Sequence, residues 1–111
     1  MLEGLWTFRF RRGEDSGAGV IVFETGRLFG GDSSFYFLGT YTVENGFLSA
    51  EVEVTRHAEL SQFIFPRFDS GTIKLSGPMT EPHMTLTGHL AQDTRQQIAV
   101  ICTRRTDLPN P

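Results

Sequence analysis

The stretch that decides the fold is Phe35-Tyr36-Phe37-Leu38-Gly39-Thr40-Tyr41-Thr42-Val43-Glu44-Asn45-Gly46-Phe47-Leu48-Ser49-Ala50-Glu51-Val52-Glu53-Val54. Two runs of period-two alternation flank Asn45-Gly46, a dipeptide that accepts the positive φ angles of a tight hairpin turn. Before the turn, Phe35, Phe37, Gly39, Tyr41 and Val43 share one face. After it, Leu48, Ala50, Val52 and Val54 face inward while Ser49, Glu51, Glu53 and Thr55 face water. Alternation of this kind is a strand with one dry and one wet side. The pair reads as an antiparallel hairpin, and the rest of the chain repeats its pattern.

Working towards the N-terminus, Arg27-Leu28-Phe29 and the β-branched run Gly19-Val20-Ile21-Val22-Phe23-Glu24 form a hairpin broken at Thr25-Gly26. Gly13 to Gly17 reads as a turn, and Trp6, Phe8 and Phe10 alternate with Thr7, Arg9 and Arg11 in a first strand. Working towards the C-terminus, alternation fails from 57 to 70. Ala58 to Gln62 suits a short helical turn there, followed by the apolar knot Phe63-Ile64-Phe65-Pro66 and then Phe68. Strands resume at Thr72–Ser76, His83–Leu90 and Gln97–Thr103.

Eight short strands with tight turns in 111 residues suit an all-β, single, eight-stranded antiparallel up-and-down barrel of the lipocalin or calycin kind. Its only helical or irregular segment is expected near 57–70. A β-sandwich is the alternative, but it needs long crossovers, and only 57–70 could supply one. Residues 1–105 are expected to form this one domain, and 106–111 a flexible tail.

Composition narrows the function classes. The formal net charge is −3, with one lysine, Lys74, so nucleic acid is not the expected direct partner. No apolar run is long enough for a membrane-spanning helix. The single cysteine, Cys102, cannot form an internal disulfide, and an acid stands where a signal peptide carries basic residues; a cytoplasmic location is expected.

Motifs for chemistry are weak. Gly26-Arg27-Leu28-Phe29-Gly30-Gly31-Asp32-Ser33 approaches a phosphate-binding loop but places Asp32 where lysine belongs, and no helix follows. Six residues at about 3.3 Å each put His83 and His89 roughly 20 Å apart, too far to share a zinc ion. Ser33, Ser34 and Cys102 lack a recognisable base, and Glu51 with Glu53 are acids on a wet strand face. Arg9 and Arg11 alternate with Phe8 and Phe10 and so lie on the opposite face from them, with Arg12 following. No catalytic, cofactor or metal site is expected, and the protein reads as non-enzymatic.

Two binding features remain. Small residues at inward positions (Gly39, Ala50, Gly77 and Gly88) suggest either an apolar cavity lined by Trp6, Phe8, Phe10, Phe37, Tyr41 and Met84, with room for a small apolar ligand, or glycines that relieve bending where the strands coil. Phe63, Ile64, Phe65 and Phe68 cannot all point inward. They are expected to plug the barrel and to form an interface with a partner or a second subunit.

Gly4-Leu5-Trp6, Gly19-Val20, Gly30-Gly31-Asp32-Ser33 and Tyr36-x-x-Gly39-x-Tyr41 together resemble the short negative regulators of bacterial type III secretion, whose best-known member represses the enterocyte-effacement genes. The resemblance covers residues 1–56, and the remainder only in strand rhythm and length. It implies a calycin-like barrel, usually a homodimer, acting as a cytoplasmic regulator that sequesters a transcriptional activator by protein contact. It also implies a hydrophobic interior suited to a lipid-like ligand. That virulence regulator carries a run of alternating acidic residues before its fifth strand. Here the segment is Thr42-Val43-Glu44-Asn45-Gly46, with Glu44 alone acidic. The leading expectation is therefore a regulatory protein binder, and the alternative is a carrier or sensor of an apolar small molecule.

Overall fold

A computed structural model describes residues 2–12, 14–58 and 69–111. Eight strands run in chain order: β1 (Gly4–Arg12), β2 (Asp15–Glu24), β3 (Arg27–Gly31), β4 (Phe35–Glu44), β5 (Phe47–Arg56), β6 (Ser70–Pro78), β7 (His83–Leu90) and β8 (Asp93–Thr106). Each pairs antiparallel with the next, and β8 pairs with β1, so the sheet closes into an up-and-down barrel. Every strand has a neighbour on both sides, although β2 before Val20 and β4 beyond Thr40 run past the short β3. No helix occurs among the described residues. Most of the segment expected to be helical or irregular, 59–68, lies outside them. β8 extends through Thr106, and Arg104 bonds Asp107 at 2.7 Å just beyond it; 107–111 have no regular structure.

The Asn45-Gly46 hairpin closes as expected. Asn45 and Gly46 take φ of 51° and 75°, the left-handed pair that matches the twist of two antiparallel strands. Thr25-Gly26 makes the same turn between β2 and β3, with φ of 49° and 81°. β4 and β5 then pair from Phe35↔Arg56 to Glu44↔Phe47.

Several strands run longer than expected, β6, β8 and β2 among them. Asp15, Ser16 and Gly17 belong to β2 and not to a turn. The register places Phe10 opposite Gly17 and Phe8 opposite Gly19. Each ring lies where a Cβ on its glycine would sit. The Phe-x-Phe of β1 therefore covers the Gly-x-Gly of β2, and the strand gains side-chain contact that glycine cannot supply.

The interior is one apolar cluster. Trp6, Phe23, Phe35, Leu48, Met84 and Cys102 are its largest fully buried side chains. The Trp6 Nε1–H donates to the Leu2 carbonyl at 2.8 Å, which satisfies a polar group that would otherwise be buried unpaired. Its ring meets Phe23 edge-on at 5.7 Å, and Phe23 meets Tyr41 the same way at 5.4 Å. Phe8 stacks on Phe10 and meets Phe37 edge-on at 5.4 Å. Arg104 secures the N-terminal end by donating to the Glu3 carbonyl at 2.6 Å.

Candidate functional site

The interior holds a void of only about 60 Å³. Phe8, Phe10 and Phe37 line it, together with Ile21, Val52 and Val100. Of the residues expected to surround a cavity, Trp6, Tyr41 and Met84 lie elsewhere. Trp6 and Met84 are packed solid, and Tyr41 is a half-buried side chain against the core. Ligand pockets for drug-sized molecules occupy several hundred Å³. A space of about 60 Å³ with an apolar lining is too small for an acyl chain.

The outer wall is less ordinary. Outward positions on β1 to β4 fall in register as two rows. One runs Leu5, Val22, Phe29, Leu38 and then Glu53 on β5; the other runs Thr7, Val20, Gly31, Tyr36 and then Thr55. Val20, Phe29, Tyr36 and Leu38 are 48, 37, 46 and 55% exposed. Phe29 is directly opposite Leu38 and diagonal to both Val20 and Tyr36, which flank the side-chain-free Gly31, so these residues form one apolar face and not scattered exposures. Its borders differ in charge. Arg9 stands on the β1 side, with Arg105 of β8 donating to the Thr7 hydroxyl at 2.8 Å, whereas Glu53 borders the β5 side. The candidate interface at Phe63, Ile64, Phe65 and Phe68 lies outside the described residues.

Of the expected turn motif Gly30, Gly31, Asp32, Ser33, the two glycines are the last residues of β3, and Asp32 and Ser33 lie between β3 and β4. The Asp32 carboxylate accepts the Ser34 and Phe35 amide N–H groups at 2.8 and 2.9 Å, and the Asp32 N–H donates to the Phe35 carbonyl at 2.9 Å. His57, just after β5, fastens this turn from outside. Its backbone N–H donates to the Ser34 carbonyl at 2.8 Å, and its Nε2–H donates to the Asp32 carbonyl at 3.0 Å. Serine, histidine and aspartate thus meet in one cluster, which no linear spacing reveals because His57 is 25 residues from Asp32.

The wiring of this cluster is not that of a nucleophile. His57 Nε2 is spent on a backbone carbonyl, Asp32 on backbone amides, and the buried Ser34 hydroxyl has no hydrogen-bond partner among the described residues. No base is poised to take its proton. The cluster locks a turn.

The other candidate groups are dispersed. Cys102 is buried between β1 and β7, and burial pushes its thiol up to about 12, so it stays protonated and unreactive at neutral pH. His83 and His89 lie on the outer face, on the opposite parity from Met84, Leu86 and Leu90. Glu51 and Glu53 are exposed on β5. No group of three or more His, Cys, Asp or Glu that could hold a metal ion occurs among the described residues.

No protein-family model matches the chain, and no curated protein matches it.

Proposed function

We propose that the protein is a non-enzymatic binding protein that acts by protein–protein contact through the outer apolar face of β1–β4, with a second copy of the chain as its first partner. The observation that carries this reading is the registered set Val20, Phe29, Tyr36 and Leu38 exposed over an interior already filled by side chains. A carrier of an apolar molecule needs its apolar surface inside. Here the spare apolar surface is outside.

The second copy follows from the charge on the two borders. A two-fold axis crossing β3 at Gly31 and inclined by roughly 35° to the strand sets the β1 side of one face against the β5 side of the other, since Glu53 lies four residues along the strand direction from the row of Arg9. Arg9 of one copy then opposes Glu53 of its mate, twice, around the shared apolar centre. A face of this composition resembles half of a sheet-on-sheet core with a polar rim. The likeness of residues 1–56 to negative regulators of type III secretion supports a regulatory use of such a dimer, with a transcriptional activator as the sequestered protein. Glu44, the lone acid of Thr42–Gly46, is the residue of this chain through which that recognition would have to run.

Sedimentation over a concentration series tests the reading. Leu38→Asp, at an outward position, should leave the circular dichroism spectrum intact and convert dimer to monomer. Glu53→Arg should weaken the dimer, and Arg9→Glu combined with Glu53→Arg should restore it. A wild-type chain that stays monomeric at high concentration, or a Leu38→Asp variant that remains a dimer, overturns it.

A further inference from the structure

The wall formed by β4 to β8 and the start of the β8–β1 seam carries an open groove of about 900 Å³ on the outside of the barrel. Small inward residues lie in and beside its wall, Gly88 in the lining itself and Gly39 next to Thr40. An added Cβ at Gly39 would collide with the Glu51 carbonyl, and at Gly88 with the Lys74 carbonyl. Neighbouring strands therefore close over these positions more tightly than any side chain allows, and the sheet coils sharply there. The interior is left with about 60 Å³, and the larger concavity lies on the solvent side.

The register gives the groove its chemistry. One outward row crosses the strands as Thr42, Ser49, Ser76, Thr87, Ala99 and Arg11. The adjacent row is Thr40, Glu51, Lys74, His89 and Gln97. Strands about 4.8 Å apart make the first row roughly 24 Å long. It is a floor of hydroxyls ending in a guanidinium, bounded by a wall of carboxylate, amine, imidazole and amide. Serine, threonine and glutamine both donate and accept, Glu51 only accepts, and Arg11 and Lys74 only donate. Arg11 makes no ion pair or hydrogen bond among the described residues, and no acid faces it from the floor row.

We infer that this groove binds an acidic carbohydrate chain, its hydroxyls along the Ser49–Ser76–Thr87 floor and a carboxylate at Arg11. The alternatives fit less well. A lipid finds its apolar contacts, Tyr41, Leu75 and Ile98, interrupted by rows of hydroxyl and charged groups. A small inorganic anion leaves most of 900 Å³ empty and meets Glu51. A nucleic acid needs more cations than Arg11 and Lys74 supply, and aromatic rings for its bases. An extended peptide adds to a strand edge, whereas both rows of the groove run across strands β5 to β8 that are already paired with one another. A polyhydroxylated chain offers donors and acceptors together, as the floor and wall do. Outer strand faces of small barrels are known to take such ligands.

The test is a titration of the full-length, isotopically labelled protein with oligogalacturonate, followed through backbone amide resonances. The expected result is saturable shifts of Ser49, Ser76, Thr87 and Ala99, with weaker affinity for a neutral malto-oligosaccharide. Arg11→Ala should reduce affinity for oligogalacturonate at least about tenfold and leave the neutral sugar unchanged. Thr87→Leu should block both sugars, with the sedimentation and circular dichroism of the unmodified chain. Shifts that fall outside the groove, equal affinity for the two sugars, or stronger groove shifts with oligothymidylate or polyglutamate would each overturn the inference. Arg11 lies outside the β1–β4 apolar face, so Arg11→Ala leaves the dimer test independent of this one.

Discussion

Phe37→Ala probes whether the barrel interior is packed or open. Phe37 lies on β4, 8% exposed, with Gly30 opposite on β3 and Val54 opposite on β5. Its ring meets Phe8 edge-on at 5.4 Å, and such a pair contributes about 0.5–1.5 kcal/mol beyond its buried area. Gly30 has no side chain to relax into the space, so a hole would persist beside the existing void of about 60 Å³. Phe→Ala in a packed core costs about 3–5 kcal/mol, against a total stability of about 5–15 kcal/mol for a domain. With a urea m-value of roughly 1.5–2 kcal/mol per molar, the unfolding midpoint should fall by about 2–3 M. Equilibrium urea unfolding followed by Trp6 fluorescence measures it. A persistent apolar hole also takes up small apolar guests, so benzene should raise the midpoint of Phe37→Ala and not that of the wild type. A loss below about 1.5 kcal/mol, or equal stabilisation of both proteins by benzene, would show that Phe37 borders open space. The barrel interior would then be open and not filled.

Two further outcomes follow from single contacts. Gly88→Ala places a Cβ against the Lys74 carbonyl, and backbone cannot yield as a side chain does; stability should fall by at least about 1–3 kcal/mol in the same urea assay, whereas Gly46→Ala, in open space, should suffer only from its φ of 75°. The Asp93 carboxylate is held down to about 2, from 3.8, first by its side-chain hydrogen bonds from Arg95 and then by the Arg95 backbone N–H. A carboxylate lowered in the folded state adds stability above its unfolded pKa and loses it as pH falls from about 4 towards 2. Thermal melts should show a shallower acid decline for Asp93→Asn than for the wild type across that window.

Much of the fold is legible in the sequence, because one physical signal repeats. Period-two alternation at Trp6–Arg11, Phe35–Val43 and Leu48–Thr55 assigns both strand and facing, and Asn45-Gly46 dictates how the middle pair turns. The glycines are harder. Gly17 reads as a turn until the register sets it beneath Phe10, and Gly39 and Gly88 read as space inside the barrel. Whether a missing side chain leaves a cavity or lets the sheet coil depends on how closely the next strand approaches, which local sequence does not encode. The outer apolar face is hidden for a similar reason. Val20, Phe29 and Leu38 sit on three strands, each flanked by unremarkable neighbours, and only the register of β2, β3 and β4 unites them. The Asp32–Ser34–His57 cluster likewise needs the return of the chain after β5.

Native mass spectrometry of the protein purified from its own host, with no ligand added, bears most directly on the claim that a filled barrel works through its outer surface. The expected spectrum is a homodimer, free of lipid-sized adducts, that collapses to monomer in Leu38→Asp. A monomer carrying one stoichiometric apolar adduct would contradict the account, because it would place the working surface inside the barrel and not on β1–β4.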